Sequence, residues 1–402
     1  MIRVANLYLI IFIALLLCAC HKADKNIFII NSKVADDADD YKLKIDSVSI
    51  PLKEGFDTLY YTYTTYAQQN QDFLIGYNAK KACLDIINLT KAKCVKHLFL
   101  NKTALFTQKL DRQDLDKSKS ITDITVIGND SILINDSNNR LLLVDTNLNL
   151  IKAFDLNAIA KNNNLPGRVI SYSSNFRMLE HDNKLLLNQI YPQYSWEKKV
   201  SVFSALDMKN EKLTELPLSF SDYLYEITGK GGYLVNVGTS EYQKNGLLTY
   251  NYMYESNIYQ FKDKDSTLTI YGGTMSGGSN YVTPIEYKGG DDLKKWDIHN
   301  VENTQFFNVM YDKFRNVYYR FSLKNIDYKN GKYFNSILDK PLVLMIFNEK
   351  FEVIKEITLP LYIYAPNTWF INKQGLYISS ANKKNKFYAP DKIKFHIYKI
   401  TR

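Results

Sequence analysis

From residue 41 to the C-terminus the chain is written in apolar or alternating runs of five to eight residues, broken by Asn, Asp, Gly and Lys. Alternation with a period of two marks strands with a buried face, and no long segment carries the i, i+3, i+4 stripe of an amphipathic helix. One short helix is expected, in FDLNAIAKNNNLPG (154–167), closed by Pro166-Gly167. The runs group in fours. The clearest unit, 120–156, reads as strands 122–128, 131–135, 140–145 and 150–155, joined by turns at Asn129-Asp130, 136–139 and 146–149. The same grammar recurs at 59–100, 173–218, about 223–272 and 305–360. A last unit (368–400) has only three strands, and YKLKIDSVSIPL (41–52) is the natural fourth. Successive four-stranded antiparallel units predict an all-β fold, a β-propeller of six four-stranded blades closed by pairing of N- and C-terminal strands. Residues 41–402 then form one domain. A β-sandwich array accounts less well for the units and leaves 41–52 without a partner.

The N-terminus reads differently. Arg3 precedes an eleven-residue apolar run, Leu7 to Leu17, too short for a membrane span and suited to a signal-peptide core. It ends in Leu17-Cys18-Ala19-Cys20. A bacterial lipobox wants an aliphatic residue three before the modified Cys and a small one just before it, and Cys20 meets both conditions. Residues 1–19 are therefore expected as a lipoprotein signal peptide, and 20–40 as a lipidated Cys20 and its tether. The tether includes a strand-like NIFIIN and the acidic DDADD (36–40). Several acyl chains on Cys20 hold a protein to the lipid bilayer without a transmembrane helix. The basic stretch His21 to Lys25 favours a periplasm-facing outer-membrane anchor over surface exposure.

Cys83 and Cys94 lie in one hairpin, CLDIINLTKAKC. A turn near Thr90-Lys91 sets Cys94 opposite about Ile87, not Cys83, so two free thiols are expected. Without a C-x-x-C pattern, no zinc site is expected either.

Composition supports the β reading, with 31 Tyr and 21 Phe, residues that suit a half-buried pleated surface. Gly, at 17, is scarce, and Asn is expected to take over left-handed turn positions. The net charge of +9 comes from lysines scattered beside turns rather than from an arginine stripe. That pattern reads as solvated surface and argues against nucleic acid as a partner.

The lipobox, the chain length, the irregular six-fold units and MYDKFRNVYYRFSL (310–323) together resemble an uncharacterised family of Bacteroidota lipoproteins, domain of unknown function 4221. The resemblance implies a six-bladed propeller in the cell envelope. It implies no activity, cofactor or catalytic residue.

Motifs that carry chemistry are few in this sequence. No two of the five histidines stand at ligand-pair spacing, and neither H-E-x-x-H nor G-x-S-x-G occurs. YGGTMSGGSNY (271–281) lacks the G-K-[ST] ending and the following helix of a phosphate loop. No metal site and no cofactor are expected. The candidate binding residues are scarce side chains in or beside strands. Arg177 and Arg320 offer a planar fork, either to tie blades together or to hold an anionic or sugar ligand. Tyr191, Trp196, Tyr319 and Trp369 offer rings, either as packing or as platforms for a sugar face. The reading is a membrane-anchored envelope lipoprotein that binds a ligand or partner, a glycan or an envelope protein, at one face of its ring. Two alternatives stand beside it: a glycan hydrolase or lyase with its site at the channel mouth, and a structural subunit of an envelope complex.

Overall fold

The structure is a computed structural model that describes residues 27–30, 33–100, 121–128, 130–136, 138–165, 168–170, 177–179, 184–190, 201–219, 237–242, 247–263, 266–275, 282–283, 293–366 and 368–402. Six antiparallel sheets follow one another along the chain. Blade I holds Tyr63–Gln68, Gln71–Asn78, Cys83–Asn88 and Lys93–Phe99. Blade II holds Ile121–Ile127, Ser131–Asp136, Arg140–Asp145 and Leu150–Asp155. In blade III the first strand comes in two pieces, Arg168–Ile170 and Arg177–Leu179. Both pair with Lys184–Ile190, and Phe203–Asp207 and Lys212–Glu215 complete the sheet. Blade IV holds Val237–Tyr242, Leu248–Tyr252, Asn257–Asp263 and Ser266–Tyr271. Blade V holds Gln305–Asp312, Val317–Leu323, Leu342–Asn348 and Val353–Thr358.

Blade VI closes the ring. Its strands Trp369–Asn372, Gly375–Ser379 and Lys392–Thr401 are joined by Lys42–Pro51 from the other end of the chain. The pairing is antiparallel and runs without a break from Lys42 opposite Thr401 to Pro51 opposite Lys392. The fold is the six-bladed propeller that the strand grammar predicts.

What holds the blades together is visible in the core, which among the described residues divides into six clusters, each shared by two consecutive blades. Leu84 and Ile132 belong to the I/II cluster, and Leu141 and Leu206 to the II/III cluster. Phe203 and Tyr250 meet across III/IV with ring centroids 5.7 Å apart. Ile258 and Phe306 share the IV/V cluster, Phe321 and Trp369 the V/VI cluster, and Tyr60 and Phe395 the VI/I cluster. Period two explains this division. In Val317–Leu323, residues 317, 319, 321 and 323 enter the seam with blade VI, while Tyr318 enters the seam with blade IV. Both faces of a central strand are thus buried, which is why such strands read as continuous apolar runs. Each large side chain so buried contributes roughly 1.5–3 kcal/mol.

The scarcity of glycine is met by a recurring turn. Asn78, Asn88, Asp136, Asp145, Asp207, Asp312, Asn348 and Asn372 each end a strand, and each accepts a backbone N–H of the following turn on its side-chain oxygen. Three or four residues later the chain takes a positive φ, at Ala82, Ala92, Asn139, Leu148, Glu211, Asn316, Phe351 and Gly375 respectively. The Asx side chain fixes the turn, so the left-handed position tolerates many residue types. Asn fills two of these eight places, fewer than its abundance suggests.

Helices are few. α1, Leu156–Asn162, is the expected one, with Asp155 accepting from Asn157 N and Ala158 N as its N-cap. α2, Leu293–Glu302, lies between blades IV and V, where the sequence pattern predicts no helix. No helix among the described residues is long and apolar enough to cross a membrane. The segment expected as tether carries structure of its own. Ile27–Ile30 pairs in parallel with Ser266–Tyr271 on the outside of blade IV, and Val34 bridges to Val353 of blade V. These contacts cover two blade edges that would otherwise present unpaired backbone.

Candidate functional site

Alternating strand direction sorts the loops. Turns joining first to second and third to fourth strands fall on one rim of the ring. Turns joining second to third strands, and the links between blades, fall on the other. Among the described residues the longer loops are on this second rim: 52–62, α1, 293–304 with α2, 324–341, 359–366 and 380–391.

Exposed large apolar side chains collect there too. Tyr333 (79% exposed), Phe387 (65%), Phe334 (63%) and Tyr61 (59%) lead a set that also includes Leu361, Tyr362, Tyr388 and Met275. On the turns of the opposite rim, Phe314 alone among the described residues is comparably exposed. The loops of blades V, VI and I are tied into one surface. Lys384 Nζ lies 2.5 Å from Asp339 Oδ1 and sits over the Tyr362 ring, and Tyr388 Oη is 2.7 Å from Thr58 Oγ1. Between them runs a shallow cleft lined by Leu323, Ile337, Lys340, Pro360, Leu361, Tyr362, Tyr364 and Asn382. Lys340 is buried at its floor, donating to the carbonyls of Asn300 (2.6 Å) and Asn303 (2.5 Å) at the end of α2. Burial pushes its pKa down to about 7. At the cleft wall the Tyr364 hydroxyl is 2.8 Å from His396 Nδ1 and 2.7 Å from the Tyr398 hydroxyl.

The side chains singled out from sequence are mostly elsewhere. Arg320 is fully buried. Its guanidinium crosses the IV/V seam to donate to the carbonyls of Ser256, Gly272 (2.8 Å) and Glu255 (3.0 Å), over the face of Phe306. This is the blade-tying role, and with Arg320 wholly enclosed in the seam it takes the place of the ligand-binding one. Tyr319 is buried in the V/VI seam, with its hydroxyl toward Asp312. Trp369 joins it there, stacked on Phe321 at 4.0 Å and edge-on to Phe307 at 4.9 Å. Both are packing residues and not sugar platforms, since neither ring has a free face. Arg177 begins the second piece of the first strand of blade III. Tyr191, Trp196 and the Cys20 anchor lie outside the described residues.

One cluster has no precedent in the sequence reading. Cys94 stands opposite Ile87, the register expected, and Cys83 and Cys94 are both free. The register shifts between Ile86 and Ile87, so that Lys96 pairs with Ile86 and Val95 is the extra residue of a β-bulge. In a regular strand Cys94 and His97, three apart, would point to opposite faces. The bulge puts them on the same one. There His97 Nδ1 is 2.7 Å from Asp85 Oδ1, and the Cys83 thiol donates to the same oxygen at 3.3 Å. The other carboxylate oxygen accepts from Tyr60 Oη (2.7 Å) and Asn78 Nδ2 (2.8 Å). Cys83, Asp85 and His97 thus bring three metal-ligating atoms within 4.8 Å of one another, against the expectation of no metal-binding set. Chain spacing concealed them, because two come from one strand and one from its bulged neighbour.

Cys94 with His97 and Asp85 has the membership of a nucleophilic triad but not its geometry. The sulfur lies 3.9 Å from Nδ1 and 3.8 Å from Nε2, so neither ring nitrogen is aimed at it. Burial, with the Asp85 charge adding to it, pushes the Cys94 thiol up to about 11, and burial raises Cys83 further. A thiol held protonated is a poor nucleophile.

The sequence profile of a family described as a domain of unknown function, DUF4221, matches residues 31–358, most of the chain. The chain belongs to the DUF4221 family. A crystal structure of a DUF4221 member from Bacteroides vulgatus has a TM-score of 0.71 to this propeller at 18% identity, covering 90% of this chain and 99% of that one. A protein described as exported, from Bacteroides fragilis, gives 0.52 at 10% identity, covering 94% and 100% respectively. At these identities the likeness speaks for the fold. No curated protein matches this DUF4221 chain.

Proposed function

We propose that this DUF4221 propeller is an envelope lipoprotein that docks a partner protein on the loop rim of blades V, VI and I. The observation that carries the reading is the concentration of exposed Tyr61, Tyr333, Phe334, Tyr362, Phe387 and Tyr388 on that rim. Aromatic rings at this density are costly in water and are the residue types that dominate protein interfaces. Lys383 and Lys386, exposed beside them, suit a partner surface that carries acidic residues. The cleft is shallow, and its lining offers hydroxyls, amides and one lysine but no facing carboxylates, which favours recognition over glycan cleavage. The lipid anchor rests on the lipobox at Leu17 to Cys20. An exported relative of the same fold, the Bacteroides fragilis protein, is consistent with that address.

Photocrosslinking residues placed at Phe387 and at Phe314 test the surface in cells. Adducts of discrete mass are expected from position 387 and not from position 314. Equal labelling from both would remove the argument for this rim. Cys20→Ala is expected to move the protein from the membrane to the soluble fraction, while Cys18→Ala leaves it in the membrane.

A further inference from the structure

We propose that Cys83, Asp85 and His97 form a binding site for a zinc-class divalent cation in the wall of blade I. Two donors, the Cys83 S–H and the His97 ring N–H, converge on the single oxygen Asp85 Oδ1, at 3.3 and 2.7 Å. A cation bound by these three atoms takes the place of the two protons between them. Metal–ligand distances of about 2.0–2.3 Å put the ligand atoms of a tetrahedral site a little over 3 Å apart, within a small adjustment of the spacing here. The donor set of one sulfur, one imidazole and one carboxylate suits zinc and its neighbours and not calcium or magnesium, which take oxygen alone.

The surroundings are those of a supported site. Tyr60 and Asn78 both donate to Asp85 Oδ2, which fixes the carboxylate and leaves Oδ1 turned to the cysteine and histidine. Phe56 lies over the His97 ring at a centroid distance of 4.4 Å and limits its rotation. Cys83 and Asp85 are fully buried, while the His97 side chain keeps 14% exposure, enough for entry from solvent. Binding releases the Cys83 proton to solvent and moves the His97 proton from Nδ1 to Nε2, which frees Nδ1 to ligate. The thiolate and carboxylate then balance the two positive charges. Three protein ligands leave a fourth position for water, with Cys94 flanking the ring.

The place of the cluster says what the ion does for the fold. Tyr60 and Phe56 belong to the link 52–62, the only covalent passage from blade VI to blade I. A cation at Asp85 braces that link against the third and fourth strands of blade I, at the seam where the ring closes.

The test uses the full chain, reduced, stripped with a chelator and titrated first with Co²⁺ and then with Zn²⁺. One Co²⁺ per chain is expected, with a near-ultraviolet sulfur-to-cobalt charge-transfer band that Zn²⁺ abolishes, and Zn²⁺ is expected to raise Tm. Cys83→Ser and Asp85→Asn should lose the band. His97→Gln, at a partly exposed position, gives the same answer if the buried variants do not fold. Tyr60→Phe should weaken binding about 10–100-fold, and Cys94→Ser should keep the ion. A folded wild-type protein with neither band nor Tm rise would overturn the site and leave a hydrogen-bonded knot in its place. A band lost in Cys94→Ser but kept in Cys83→Ser would overturn it equally.

Discussion

Arg320 on blade V and Gly272 beside blade IV meet across one seam, with Nη1 donating to the Gly272 carbonyl at 2.8 Å. A Cβ built on Gly272 would stand 2.8 Å from that same nitrogen and nearer still to Ile258. The glycine therefore supplies both the acceptor and the room. Gly272→Ala is expected to cost roughly 1–3 kcal/mol through overpacking. Arg320→Met deprives the Glu255 and Gly272 carbonyls of this donor in a buried seam, for about 3 kcal/mol or more. The double variant should fall short of the sum, since each change disturbs the same contact. Urea unfolding of the three variants measures this, and strict additivity would show that the two residues act independently.

Ring closure depends on the N-terminal strand. Lys42–Pro51 covers Lys392–Thr401 over its whole length and inserts Ile50 into the VI/I cluster. A chain lacking residues 27–51 leaves Lys392–Thr401 as a long open edge, with Ile393, Phe395 and Ile397 losing cover. Such an edge pairs with other chains. The truncated protein is expected to aggregate or to bind an apolar dye strongly at room temperature. A monomer with an unchanged Tm would show that the closing strand is dispensable.

Much of this architecture is legible in the sequence, because period two and Asx turns are local signals. The unit read at 120–156 is the sheet from Ile121 to Asp155, and 41–52 takes its place in blade VI. The pairing of Cys94 with Ile87 follows from the turn alone. α2 was hidden because its buried face is His299 and Val301 with a partly covered Trp296, too weak a stripe to register. Arg320 was conspicuous, yet its carbonyl partners lie 48 to 65 residues earlier, at positions only the packing of two blades defines. The Cys83–Asp85–His97 cluster depends on a bulge at Val95, one extra residue that leaves no mark in composition or spacing.

The Asx turns carry a stability signal of their own. Glu211 holds a left-handed φ of 51°, a conformation that costs a residue other than glycine about 1–2 kcal/mol. Glu211→Gly relieves it, returns about 0.5–1 kcal/mol through the looser unfolded chain, and gives up an exposed ion pair with Lys152 worth little. A net gain of about 0.5 kcal/mol is expected. Gly375, at the equivalent place with φ 153°, should respond the opposite way, because a Cβ there would press on the Tyr398 carbonyl. Chemical denaturation of Glu211→Gly and Gly375→Ala checks the contrast, and a destabilised Glu211→Gly would contradict it.

Lys340 makes stability depend on pH in a direction opposite to that of paired lysines. Burial holds its folded pKa near 7, well below the ordinary lysine value of 10.5, while the Asn300 and Asn303 carbonyls accept from it. Below pH 7 both folded and unfolded chains carry the proton, and the cost of the buried charge is present in full. Between pH 7 and 10.5 the unfolded chain holds more protons than the folded one, so this group's contribution to stability rises with pH. The slope is up to about 1.4 kcal/mol per pH unit. Lys340→Met removes the titration while keeping most of the side-chain volume at the cleft floor. Urea unfolding of both proteins at pH 7, 8 and 9 isolates the effect, since other groups cancel in the difference. The wild type should gain on the variant at each step upward, and parallel pH profiles would mean that Lys340 keeps its proton throughout, held by the carbonyls at the end of α2.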